Sequence, residues 1–191
     1  SFRPAFEVYV AVRLEARDAA EWMLAQTQPF FAQVAFNPPH APYQVPPFSL
    51  LSAASRTAIE ALGVAQIGQP YREGDYAWIT DLTHPTHPLT EAQLAQKKRV
   101  FYDAMIEATD ANLGYLLDRI APKVSDTMIF VFGDNGPEAS VVDPTRFDPN
   151  RAKRTCYQFG VHEPLIVAGP LVQAGGRLCD HPVGAVDFWR T

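Results

Sequence analysis

At 191 residues, 47% hydrophobic and 19% charged, the chain is long enough to bury one sizeable core, alone or with a small appendage. Sixteen basic and 21 acidic residues leave a net charge of −5, and the one basic run, Gln96 to Arg99, reads as a solvated helix face, so nucleic acid is not the expected partner. No apolar run reaches the roughly 18–20 residues of a membrane span, and two cysteines, Cys156 and Cys179, are free thiols or one bridge rather than a disulfide framework.

No signal peptide is visible, and the opening SFRPAFEVYVAV reads like the interior of a longer sequence. Leu14 to Thr27 suits a helix: Ala20 and Leu24, with Ala19 and Met23, share one face, and Pro29 stops it. Phe30 to Phe36 is a nearly continuous apolar run, which predicts a strand covered on both faces. It runs into Asn37 to Pro47, where five prolines in eleven residues exclude helix and central strand and make a stiff loop. Ser52 to Gly63 suits a short helix, and Thr83 to Pro88 reads as loop.

Thr90-x-x-Gln93 matches a capping box and opens a long helix. Leu94, Phe101, Met105, Ala108, Leu113, Leu116 and Ile120 recur near helical spacing, and Pro122 ends it. Two apolar strands follow, Thr127 to Phe132 and Pro164 to Gly169, and His181 to Thr191 completes the chain. Helices alternating with short apolar strands predict an α/β fold: a mostly parallel sheet with flanking helices.

The first of those strands ends in Gly133-Asp134-Asn135-Gly136. Ligands in open α/β sheets collect beyond the carboxyl ends of strands. A charged oxygen beside a neutral carbonyl oxygen suits a hard divalent cation. The competing reading is a plain Asp-Asn-Gly turn. His40 lies past the end of the Phe30 to Phe36 run, and Lys153 lies between the Asp-Asn loop and the last strand. A cation, an imidazole and an ammonium together would receive a tetrahedral oxyanion ester. Each of these residues also has an ordinary surface reading. His84 and His87, at His-x-x-His spacing, read as loop rather than as a second metal site.

Several stretches, in order, resemble the sulfatases of the alkaline phosphatase superfamily. PFFAQVAFNPPHAPYQVPP is similar to the family's strand and histidine loop, YDAMIEATDANLGYLLDRI to its long helix, and IFVFGDNGPE to its strand ending in an Asp-Asn metal pair. KRTCYQFGVHEPLIVAGP resembles the stretch lysine-glycine-(small)-x-Tyr-Glu-Gly-Gly-x-Arg-x-Pro, and HPVGAVDFWRT the element that follows it. Departures are Phe159 in place of a glycine, His162 and Glu163 in place of an arginine and an apolar residue, and Arg190 in place of a proline.

The resemblance implies that Asp134 and Asn135 bind calcium, with magnesium as the alternative. It also implies that His40 contacts the sulfate group, and that Lys153 lies near the sulfate and the leaving-group oxygen. Arg154 or Arg151 are the other candidates in register for the lysine's role. The family's nucleophile is a formylglycine made within a Cys/Ser-x-Pro-x-Arg motif, and no such motif occurs here: Tyr-Gln-Phe-Gly follows Cys156, and Asp-His-Pro-Val follows Cys179. The family's early Asp-Asp metal pair is also missing.

Residues 1–191 are therefore expected to be a single partial sulfatase-like catalytic domain, with the formylglycine outside the chain. The complete enzyme would hydrolyse small-molecule or carbohydrate sulfate esters, and a periplasmic or secreted location is the one the resemblance favours. The chain alone is expected to be inactive, to bind metal weakly and to be prone to self-association. The alternatives are a phosphodiesterase or phosphonate ester hydrolase of the same superfamily, and a non-catalytic binding protein that retains the fold.

Overall fold

The computed structural model describes residues 5–62, 73–75, 77, 88–184 and 186–187, with the backbone alone for 5–11. The long helices come first. Helix α1 spans Ala5–Ala25, beginning nine residues before Leu14, where the sequence pattern places its start. Its buried face is Val12, Ala16, Ala20 and Met23, a stripe at four- and three-residue steps. Leu24, expected on that face, falls beside the stripe and is exposed. Gln26 folds its side-chain amide back to the Trp22 carbonyl at 2.8 Å, satisfying one of the open carbonyls at the helix end.

Helix α2 spans Ala53–Ala61, and the Ser52 hydroxyl at its start accepts the Ser55 N–H at 3.2 Å. Helix α3 runs Glu91–Arg119, with the expected capping box: Thr90 Oγ1 accepts the Gln93 N–H at 3.2 Å, and Gln93 Oε1 accepts the Thr90 N–H at 2.8 Å. At 1.5 Å per residue this helix is about 43 Å long, the spine of the chain.

Two hydrophobic clusters hang on α3. Its N-terminal half supplies Leu94, Phe101, Ala104, Met105 and Ala108 to a cluster with Tyr43, Val45, Leu51, Ile59 and Val141. Its C-terminal end supplies Leu116, with Ile120 just beyond, to a cluster with Ala16, Ala20 and Met23 of α1. Lys97 is a correction to the solvated-face reading of Gln96 to Arg99: it is buried, one turn before Phe101 on the core stripe, with its ammonium 5.6 Å from that ring. A four-residue helix, α4 (Ala121–Val124), absorbs Pro122 in its first turn, where proline is tolerated.

Strand β1 (Ile129–Phe132), the four-residue helix α5 (Gln158–Val161) and strand β2 (Leu165–Ala168) complete the regular structure. Among the described residues the sheet is two-stranded and antiparallel, with Ile129 opposite Ala168 and Phe132 opposite Leu165. The chain is α/β, but the expected mostly parallel sheet is not what the described residues show. A parallel pair needs a crossover, usually a helix, that returns to the start of the first strand. Here the connection is a series of short turns staying at the β1 exit, so β2 runs back the other way.

Phe30 to Phe36 is a second correction. Among the described residues it forms no ladder: Phe30, Ala32, Val34 and Phe36 pack on the α1–α3 cluster, while Phe31 is 82% exposed. One face is covered, not two. Both cysteines are free and exposed. Among the described residues no helix is long and apolar enough to cross a membrane. His84 and His87 lie outside the described residues, as does Arg190.

Candidate functional site

The antiparallel register decides what meets at the sheet end. Phe132 pairs with Leu165, so the chain leaving β1 at Gly133 lies beside the chain entering β2. Glu163 is thereby brought over Gly133: a Cβ on that glycine would sit 2.6 Å from Glu163 Oε2. Burial first, and then the negative charge of Asp134, push the Glu163 carboxyl above its usual range, with His162 opposing. A second carboxylate therefore faces the Asp134 loop. It was visible in the sequence only as a departure from the lysine motif.

Asp134 is exposed and Asn135 half-buried at a bend. The loop that holds them is tied by main-chain bonds to helix α5 and to the loop that holds Lys153. The Gly136 N–H donates to the Gly160 carbonyl at 3.2 Å, and the Lys153 N–H donates to the Pro137 carbonyl at 3.0 Å. The approach is close enough that a Cβ on Gly136 would overlap the Phe159 carbonyl. Gly160 is equally constrained: a Cβ there would lie 2.6 Å from the Thr155 carbonyl and 2.7 Å from that of Ala152. This glycine occupies one of the two adjacent glycine positions of the resembled motif.

Phe159 stands at the other and stacks on Phe147, with ring centroids 4.5 Å apart. The residue after Lys153 has φ of 72°, the left-handed region that favours glycine. The resembled motif has glycine there, and this chain has Arg154. The lysine loop thus keeps a glycine's backbone shape without the glycine.

His40 is exposed, with its N–H donating to the Asn37 carbonyl at 3.0 Å and its ring Nδ1 2.8 Å from the Ala41 carbonyl. The Pro38–Pro39 and Ala41–Pro42 bonds on either side are cis. Its loop reaches the Asp134 loop through Tyr43, whose hydroxyl donates to Glu138 Oε2 at 3.0 Å. Loops carrying His40, Asp134, Asn135 and Lys153 are therefore linked in one chain of hydrogen bonds, which the sequence pattern alone did not contain.

The donor chemistry at Asp134 and Asn135 fits a hard cation, since both offer oxygen. The donor number does not complete a site: among the described residues no three His, Cys, Asp or Glu side chains gather to hold a metal ion. About six to eight oxygens satisfy calcium, so any cation held here takes further donors from elsewhere.

The sulfatase family model matches residues 10–191. The chain belongs to the sulfatase family. Sulfatases are hydrolases that generally use a metal ion. No solved structure matches the chain.

Proposed function

We propose that the chain supplies part of the catalytic domain of a sulfuric ester hydrolase. The observation that supports this reading is the pair of main-chain bonds beyond β1 that tie the Asp134-Asn135 loop to the Lys153 loop and to α5. In this reading residues 1–191 are one partial domain. Asp134 and Asn135 hold a divalent cation, calcium in preference to magnesium, which supplies Lewis-acid charge to an anionic ester when bound. Lys153 places an ammonium by the leaving-group oxygen, and His40 contacts the sulfate group through its imidazole. Glu163 adds negative charge beside Asp134, which strengthens cation binding and disfavours an approaching anion when the cation is absent.

None of these side chains is an attacking group of the formylglycine type, since no Cys/Ser-x-Pro-x-Arg motif is in the sequence. The substrate class is a small-molecule or carbohydrate sulfate ester, and a secreted or periplasmic site of action fits the family. The reading is tested by assaying the purified chain on an aryl sulfate with calcium, beside His40→Ala. No turnover above buffer is expected, because loss of a nucleophile leaves only residual electrostatic assistance. Turnover that disappears in His40→Ala overturns the assignment, because it puts the nucleophile within these residues. The coding DNA upstream of Ser1 gives an independent check: a Cys/Ser-x-Pro-x-Arg sequence there is expected.

A further inference from the structure

The cation and anion groups sit on different loops, and one buried side chain spans two of them. Tyr43 follows His40 by three residues and is 3% exposed. Its hydroxyl donates to Glu138 Oε2 at 3.0 Å, across 95 positions of sequence. Its ring meets Tyr102 of α3 edge-on, with centroids 5.9 Å apart. Its carbonyl accepts the Ala77 N–H at 2.9 Å, so its own backbone is fixed from another side. Glu138 in turn opens the 3-10 turn Ala139–Val141, and its carbonyl accepts the Val141 N–H at 3.0 Å. Both ends of the Tyr43–Glu138 bond are thus anchored to the α3 core, and the exposed residues His40 and Asp134 stand a few residues to either side.

We propose that Tyr43 is a positioning residue, acting through Glu138 to set the placement of the His40 loop against the Asp134-Asn135 loop. This rests on reading His40, Asp134 and Asn135 as one site. Among the described residues the His40 ring is held by its own loop: Nδ1 meets the neighbouring Ala41 carbonyl, so the loop's position decides the ring's. A phenol donating to a carboxylate makes a charge-assisted hydrogen bond, stronger than a neutral one. Removing the hydroxyl from a buried ring leaves that carboxylate oxygen without its donor. Burial above all, with the Ser140 side chain opposing, pushes the Tyr43 phenol above its usual range, so it stays protonated and able to donate.

The test is amide hydrogen exchange on the full 191-residue chain in wild type, Tyr43→Phe, Glu138→Ala and Glu138→Gln. In Tyr43→Phe and Glu138→Ala, exchange of the His40 N–H speeds several-fold, while the α3 amides from Phe101 to Ala108 keep wild-type rates. Glu138→Gln, which retains an acceptor oxygen, stays close to wild type. Unchanged exchange at His40 overturns the proposal. Equal acceleration along α3 overturns it too, because the bond is then general packing. Manganese(II) serves as a second probe on the same variants. Broadening of the His40 ring-proton signals is expected in wild type and Glu138→Gln, and several-fold weaker in the other two. Absence of any manganese effect near Asp134 in wild type counts against the cation reading, and the hydrogen exchange then decides the positioning role by itself.

Discussion

Arg154 shows how a single residue can keep a loop's shape while losing the residue type that shape favours. Its φ of 72° costs a side-chain-bearing residue energy that a glycine does not pay. Glycine's greater freedom in the unfolded chain offsets part of that difference. Arg154→Gly is therefore expected to raise stability by about 0.5–1 kcal/mol, measured by urea denaturation. Gly160→Ala tests the opposite constraint, since its Cβ would press on the Thr155 and Ala152 carbonyls. It is expected to lower stability by about 1–3 kcal/mol, the cost of overpacking where backbone must shift. The residue types of the candidate site were legible in the sequence, because Asp134, Asn135, His40 and Lys153 fall at the ends of apolar runs or in the loops between them. Their ties were not. Glu163 reaches the Asp134 loop, and Tyr43 reaches Glu138, through pairings between distant segments that no local pattern encodes. Lys97 was misread because its neighbours are basic; its position one turn before Phe101 governs its burial.

At the scale of elements, the helices were legible and the sheet was not. Helix α3 announces itself by its capping box and a long apolar stripe, both local signals. The four-residue strands β1 and β2 carry no mark of direction, and their antiparallel pairing is set by the course of the intervening turns. The Phe30 to Phe36 run hides its alternation, because an apolar phenylalanine, Phe31, occupies an outward position. Helix α2 depends on a distant residue of α3: Glu107 Oε1 accepts the Ser52 N–H at 2.6 Å. The Ser55 hydroxyl first, and then Ser52, lower the Glu107 pKa from its ordinary 4.5, with burial opposing. An acid with a depressed folded pKa adds stability above its unfolded value and loses it as pH falls through the folded one. Glu107→Ala is thus expected to cost about 1 kcal/mol at neutral pH. In paired denaturation curves, the gap to wild type narrows as pH drops below 4.5. The two-stranded sheet exposes Ile166 and Val167. Apolar strand surface of this kind promotes association. Sedimentation is expected to show mass rising with concentration for wild type, and Ile166→Lys to suppress it; equal behaviour of the two would place the association elsewhere.

Among the described residues, helix α3 carries two cores, one along its N-terminal half and one between α1 and its C-terminal end. The first core ties together segments that are distant in sequence. Tyr43 and Val141 are both members of it, three residues after His40 and six residues after Asn135. In the proposed function, Asp134 and Asn135 are two donors to a divalent cation, and the remaining donors come from outside the described residues. Calcium titration by calorimetry tests that claim most directly, with wild type beside Asp134→Ala. Weak binding is expected in wild type, with dissociation constants well above micromolar, because two oxygen-bearing side chains leave most of a calcium shell to water. Asp134→Ala is expected to abolish the signal. Sub-micromolar affinity in wild type, or binding that survives Asp134→Ala, would contradict that claim.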